Sequence, residues 1–569
     1  MGTRPPQSKV FNRRSLLTRS AALVGGAAAG LALPSAAASA DEKSKTEGQA
    51  AARIVTAVEP PNLHPPVVQV KGGKLRGFKD GKIFTFLGVP YATAERFEMP
   101  KPVPAWEGTK SAQVWGPVCP IPPQANAGGD DFVFPHRYWV ENEHCQVLNI
   151  WTQSTAAKVR KPVMVWMHGG GFTNGSSMES YAYDGKTLSE FGDVVAVSVN
   201  HRLNIIGTLD LSAYGPEYAN SRNTGMADLV AALEWIHENI EAFGGDPANV
   251  TIFGQSGGGG KVTRLMHMPS AKGLFHKVIC ESGGALNYRD TDPAKVIQAQ
   301  QSVAAETIKN LGLDGSQIVK LKTVPYRDLL AAGNTANQVV ARQLGGQAMG
   351  WNPIADDQYV MREFCDWADT IPYMAGNVMS EFNGNLAKGE LTKNEWSAKE
   401  VEERLTAAFG DKKDEIVAEF KKLYPRKKVQ DVLFLDNRFR RGTKTTLARK
   451  LEKTKAPVYN YIFTYEYQVN GGVTAFHCSE IAFAFHALSE PHIRIATGGA
   501  PAALALQDKV SQAWVNFART GNPTQPGLLW KPYTLAGRET MIFDTVNEVR
   551  SVNDDKLWSL LPQQGNGRG

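Results

Sequence analysis

The segment Gly254-Gln255-Ser256-Gly257-Gly258 follows a β-type run, Asn249-Val250-Thr251-Ile252-Phe253, and precedes a helix-capable stretch. A strand that becomes a helix across one serine is a very tight turn. The residues two before and two after the serine must then be small, so that the two backbones can approach. Glycine stands at both places, which relieves the strain of the serine's own φ/ψ. The serine Oγ then projects from the edge of the sheet. The segment thus calls for a parallel-type sheet with helices against it. It leaves Ser256 as either a nucleophile or an ordinary turn serine.

The rest of the chain repeats the strand–helix alternation. Val67–Val70 and Lys74–Phe78, separated by Gly72-Gly73, read as a hairpin, and Ile83–Leu87 as a further strand. Pro162–Met167, Val194–Val199, Val250–Phe253 and Lys277–Cys280 are short apolar runs of the kind buried on both faces of a parallel sheet. Ala227–Glu241 reads as a helix with Leu229, Leu233, Ile236 and Ile240 on one face. Residues 293–350 and 394–424 read as more polar helices, Val458–Thr464 as a strand and Lys509–Thr520 as a helix. Residues 97–140, rich in Pro, Gly and aromatics, read as long structured loops. The pattern predicts an α/β fold with one doubly wound, mostly parallel central sheet, flanked by helices and carrying helical insertions.

The formal charge of +6 comes mostly from the first forty residues, where Arg4, Lys9, Arg13, Arg14 and Arg19 stand without an acid. The remainder is close to neutral, so the basic balance gives no reason to expect a nucleic-acid partner. Asn12-Arg13-Arg14-Ser15-Leu16-Leu17-Thr18 resembles a twin-arginine export signal. It is followed by a mildly apolar run and by Ala38-Ser39-Ala40 as a cleavage site. Residues 1–40 are therefore expected to be a signal peptide and the protein to be exported, periplasmic or secreted. The alternative, a membrane anchor, is disfavoured because the apolar run is shorter than the roughly 20 residues a span needs. No stable membrane insertion is expected. Residues 41–64 are read as a flexible mature N-terminus, 65–562 as one catalytic domain and 563–569 as a disordered tail. The five cysteines have no CxxC spacing, so neither a metal site nor a cofactor is expected.

A serine nucleophile needs a base, an acid that orients the base, and donors for an oxyanion. His168-Gly169-Gly170-Gly171-Phe172 directly follows the strand Val163–Met167. Consecutive glycines there let backbone N–H groups point into a cavity, so Gly170, Gly171 and Gly257 are the candidate oxyanion donors.

At this point the chain resembles the type-B carboxylesterases, the branch of the α/β-hydrolases that includes the cholinesterases. The resemblance runs from about Val67 to about Phe543. It rests on Asn200-His201-Arg202-Leu203-Asn204 through Gly207, then Asn223-Thr224-Gly225 and Asp228. It continues in Trp235–Ile240 and Phe243-Gly244-Gly245-Asp246-Pro247, which lead into the serine turn. Phe86–Ala92 and Leu148–Trp151 look like two earlier motifs of the family. The resemblance implies an α/β-hydrolase fold whose helical insertions form a lid or gorge. It also implies a small-molecule ester substrate, hydrolysis through an acyl-enzyme, and the triad order Ser, acid, His.

Residue by residue, the resemblance places the acid at Glu381, in Gly376-Asn377-Val378-Met379-Ser380-Glu381, with Asp356 and Asp357 as alternatives. It places the base at His477, in His477-Cys478-Ser479-Glu480-Ile481, with His486 as the competitor. Cys478 stands where the family has glycine. Ser282 matches a position that supports the acid, or is a turn serine. Cys119 and Cys145 match cysteines that close a loop by a disulfide. Aromatics of the 119–145 loop (Phe132, Phe134, Tyr138, Trp139) either line a gorge or pack against the core. Gln255 stands where relatives commonly have glutamate. A neutral amide there favours neutral or anionic esters over choline esters. The same triad would also serve an amidase or a lactonase, and some relatives keep the fold as non-catalytic binding proteins. Oligomeric state is not legible.

Overall fold

The computed structural model describes residues 64–123, 135–284, 292–346, 350–436 and 438–562. The segments expected to form an export signal, a flexible N-terminus (apart from His64) and a disordered C-terminal tail lie outside them.

The frame is an eleven-stranded sheet. In chain order its strands are β1 (Phe78–Asp80), β2 (Ile83–Pro90), β3 (Val147–Thr152), β4 (Lys161–Met167), β5 (Val195–Val199) and β6 (Gly245–Gln255). They continue with β7 (Lys277–Glu281), β8 (Tyr373–Val378), β9 (Val458–Phe463), β10 (Glu539–Phe543) and β11 (Glu548–Ser551). Across the sheet the order is β11-β10-β9-β8-β7-β6-β4-β5-β3-β2-β1. The block from β5 to β10 is parallel, with antiparallel strands at both margins. A separate small sheet contains the hairpin Val67–Val70/Gly73–Arg76, as the Gly72-Gly73 turn predicts.

Strand β4 shows why the central strands are apolar throughout. Val163, Val165 and Met167 enter one hydrophobic cluster, and Met164 and Trp166 enter another. Both faces are covered, so alternation gives way to a continuous apolar run. Helix α1 (Thr224–Asn239) supplies Leu229, Leu233 and Ile236 to the Val163 cluster. Helix α8 (Pro501–Thr520) supplies Val510, Trp514 and Phe517 to the Trp166 cluster. It starts eight residues earlier than its apolar pattern suggests, with Pro501 in its first turn, where a missing N–H costs nothing. Helix α2 (Gly257–Leu265) follows β6 directly.

The polar stretches resolve into α3 (Pro293–Asn310), α4 (Tyr326–Gln343), α5 (Ala398–Phe409) and α6 (Lys413–Leu423). Helix α7 (Arg438–Lys453) has no apolar period that sequence reading could use. Ionic contacts bury it instead: Arg440 donates to Asp554 at 2.7 Å and to Asn460 at 2.8 Å. In the Asn200–Asp228 motif block, Arg202 and Asp228 form a fully buried bidentate pair at 2.8 and 2.7 Å. Arg202 also donates to the Glu95 and Glu98 carbonyls. With all three guanidinium nitrogens engaged, this pair fixes the loop after β5, and removing either partner should cost about 3–5 kcal/mol.

The expected Cys119–Cys145 disulfide is not formed. The two cysteines are buried neighbouring thiols, hydrogen-bonded to each other, and the Cys119 sulfur accepts the Leu203 N–H at 3.2 Å. Burial pushes the Cys145 thiol well up. Among the described residues no helix is long and apolar enough to cross a membrane, and no cluster of ligating side chains could hold a metal ion.

Candidate active site

Ser256 sits between β6 and α2 at φ +57°, ψ −122°, a strained conformation for a residue with a side chain. Two hydrogen bonds hold it there: Ser256 N–H to the Glu281 carbonyl at 2.8 Å, and Gly260 N–H to the Ser256 carbonyl at 2.9 Å. The flanking glycines are required by space. A Cβ at Gly254 or at Gly258 would overlap the Met167 carbonyl at the end of β4. The turn is therefore pressed against the neighbouring strand, and the loop after that strand is the glycine run. A Cβ at Gly257 would overlap the backbone of Gly171, so these two candidate oxyanion residues are in direct backbone contact. Gly170 and Gly171 take φ +78° and +63°, open to glycine at no cost.

His477 and Glu381 come from loops after β9 and β8. Their backbones pair, His477 N–H donating to the Glu381 carbonyl at 3.1 Å. His477 Nδ1 lies 2.5 Å from Glu381 Oε2. The other carboxylate oxygen accepts from Ser282 Oγ at 2.8 Å and from the Val378 N–H at 3.0 Å. Burial pushes the Glu381 carboxyl up, and those two donors oppose it. The alternatives lie elsewhere. Asp356 accepts the N–H groups of Gln358, Tyr359 and Val360, Asp357 pairs with Arg362, and His486 pairs with Asp508.

Ser256, Gly169, Gly170, Gly171 and His477 line one cavity of about 890 Å³. Gln255, fully buried, places its Nε2 3.4 Å from His477 Nδ1 and 3.3 Å from its Nε2. An approach in the ring plane could not be equidistant from both nitrogens without colliding with the carbon between them, so the amide lies over the ring face. The Cys478 thiol donates to Gln255 Oε1 at 3.2 Å and fixes which end of the amide faces the ring. Cys478 itself takes φ +77°, the conformation that suits the glycine usual there.

Sequence reading missed five contributors. Phe382 and Phe439 lie against the His477 ring at 4.1 and 5.1 Å between centroids. Glu480 approaches Ser282 Oγ at 3.4 Å, and Glu281 accepts from Trp514 Nε1 at 2.7 Å; burial raises both carboxyls. Lys261 reaches the glycine loop from below. Glu480 had a signal, since it stands in the same short motif as His477; the other residues had none. Of the loop aromatics, Tyr138 and Trp139 line the cavity, while Phe132 and Phe134 lie outside the described residues.

Comparison with known proteins shows the family. The model of the Carboxylesterase family matches residues 64–557. The para-nitrobenzyl esterase of Bacillus subtilis is 32% identical over 516 residues, covering 88% of this chain and 99% of the relative. The fumonisin B1 esterase of Sphingopyxis macrogoltabida is 30% identical over 503 residues, covering 84% and 86%. Among solved structures, an esterase from the anaerobe Clostridium hathewayi that can hydrolyse aliphatic aromatic polyesters superposes with a TM-score of 0.80. It is 42% identical and covers 87% of this chain and 97% of its own. With a sheet of α/β-hydrolase type, a strand–serine–helix turn and a match across most of its length, the chain belongs to the type-B carboxylesterase family of serine hydrolases.

Proposed function

We propose that the protein hydrolyses carboxylic esters with Ser256 as nucleophile, His477 as base and Glu381 as the group that orients His477. The observation that carries the reading is the Ser256 turn opening on the cavity that His477 lines, with His477 Nδ1 held 2.5 Å from Glu381. Ser256 Oγ attacks the ester carbonyl while His477 takes its proton. The N–H groups of Gly170, Gly171 and Gly257 stabilise the oxyanion. His477 returns the proton to the leaving alcohol, and water, activated by the same base, resolves the acyl-enzyme. Glu381 keeps the Nδ1 proton in place and stabilises the imidazolium.

The preferred substrates are neutral or anionic esters rather than choline esters. Gln255 offers no negative charge beside the nucleophile, and Arg438 lines the cavity with Phe382 and Phe439. Those rings, Tyr138 and Trp139, together with the likeness to an esterase that can hydrolyse aliphatic aromatic polyesters, support a bulky aromatic ester. The twin-arginine-like segment supports export.

The test is the Ser256→Ala variant, expected to lower turnover of a p-nitrophenyl ester by about 10⁴–10⁶-fold and to abolish fluorophosphonate labelling. Near-normal hydrolysis would sink the assignment. A matched pair of choline and neutral esters tests the preference, which fails if the choline ester is cleaved faster.

A further inference from the structure

Five residues after Ser256, α2 carries Lys261 with its side chain fully buried. Burying an ammonium is unfavourable unless specific partners compensate for lost water. Its Nζ donates to the His168 carbonyl at 2.8 Å and lies 3.4 Å from that of Gly169. Both carbonyls belong to the loop that runs into Gly170 and Gly171. The Gly169 carbonyl and the Gly170 N–H are the two ends of one peptide group. A cation at the oxygen end withdraws electron density from nitrogen and makes the N–H a stronger donor. It also fixes the plane of a peptide that, in a glycine run, has no side chain to hold it. Phe172, the next residue of the loop, has its ring 5.6 Å from Lys261 Nζ and 4.3 Å from the Arg264 guanidinium. Two cations of α2 therefore underlie the loop.

We propose that Lys261 is a positioning residue for the oxyanion loop: its ammonium, held on the His168 and Gly169 carbonyls, orients and polarises the peptide that presents the Gly170 N–H to the substrate oxygen. This rests on the reading of Ser256 and the glycine loop given above. The groups that face the ammonium are of both signs. Glu179 favours its charge and Arg264 opposes it, while the Cys119 sulfur acts in the same sense as Glu179. The stacked rings of His168 and His201 are kept neutral by burial. Burial outweighs Glu179 and brings Lys261 down to about 7.

The test begins with Lys261→Met, which keeps the four-atom stem of the side chain and removes the ammonium at its end. The expected result is a kcat about 10²-fold lower with KM changed by less than about threefold. A trifluoromethyl ketone, whose adduct with the serine carries an oxyanion, should lose affinity by a similar factor, while an unreactive substrate analogue keeps its affinity. A kcat within about twofold of wild type, or equal losses for both inhibitors, would overturn the proposal. Should Lys261→Met not fold, Glu179→Gln decides. Without that carboxylate the lysine loses its proton earlier, so the alkaline limb of kcat should move to lower pH, and an unmoved limb overturns the proposal. Failure of the underlying reading looks different, because Ser256→Ala would then remain active; an inert Ser256→Ala beside a fully active Lys261→Met rejects only the role of Lys261.

Discussion

The two halves of the site are built on opposite principles. The serine half is backbone: Gly254, Gly257 and Gly258 bring the ends of β4 and β6, the start of α2 and the Gly170-Gly171 loop so close that no side chain fits between them. The histidine half is side chains: Glu381, Ser282 and Gln255 reach His477 or its partner from separate segments, all of them buried. The first half is rigid because it is crowded, and the second because its charges are desolvated and tied. Substitution should therefore break the first by sterics and retune the second by electrostatics.

The sharpest break is expected at Gly258→Ala. A methyl there meets the Met167 carbonyl and cannot be relieved by a rotamer, so destabilisation above about 3 kcal/mol is expected, read as a fall in Tm together with loss of fluorophosphonate labelling. A folded and active G258A enzyme would show the serine half to be adaptable after all. On the other side, Glu381→Gln should leave the fold intact and lower kcat by about 10³–10⁴-fold, because the amide no longer stabilises the imidazolium. Activity within tenfold of wild type would mean that His477 is oriented by something other than Glu381.

Ser282→Ala is a finer probe. Ser282 donates to the Glu381 carboxylate and holds its pKa down against burial. Removing that donor favours the protonated carboxyl. Activity requires the ionised form, so the acid limb of kcat/KM should move to higher pH, by about half a unit to one unit. A limb that stays put or moves down would remove Ser282 from the electrostatics of the pair. The smallest effect is expected at Cys478→Gly. Relief of the left-handed conformation and the added entropy of glycine in the unfolded chain nearly cancel, so stability should change by less than about 1 kcal/mol. A larger loss would show that the thiol's contact with Gln255 supports the histidine half.

The difference between the halves also explains what was legible. The serine half is contiguous in sequence: a strand, a turn and a helix within a few residues, with glycines wherever space runs out, so Ser256 and the Gly170-Gly171 loop can be read from spacing. Strand β8 and the strands β10 and β11 escaped reading, because a six-residue run such as Tyr373–Val378 has no period that separates it from a loop. Helix α7 escaped because its buried face is ionic, with Arg440 on Asp554. The Cys119–Cys145 bridge that the resemblance implies is absent from the structure, which sets the two buried cysteines side by side as free thiols.

The sequence by itself determined the strand–helix alternation, the serine turn and the glycine loop, because close packing at the turn admits only small residues and leaves a local pattern. Tertiary structure alone decided which carboxylate meets His477, that Phe382 and Phe439 lie against its ring, that the Gln255 amide lies over that ring, and that Lys261 grips the carbonyls beneath the glycine loop. Those arrangements join residues up to 222 positions apart, and their energies come from burial, which only the folded chain creates.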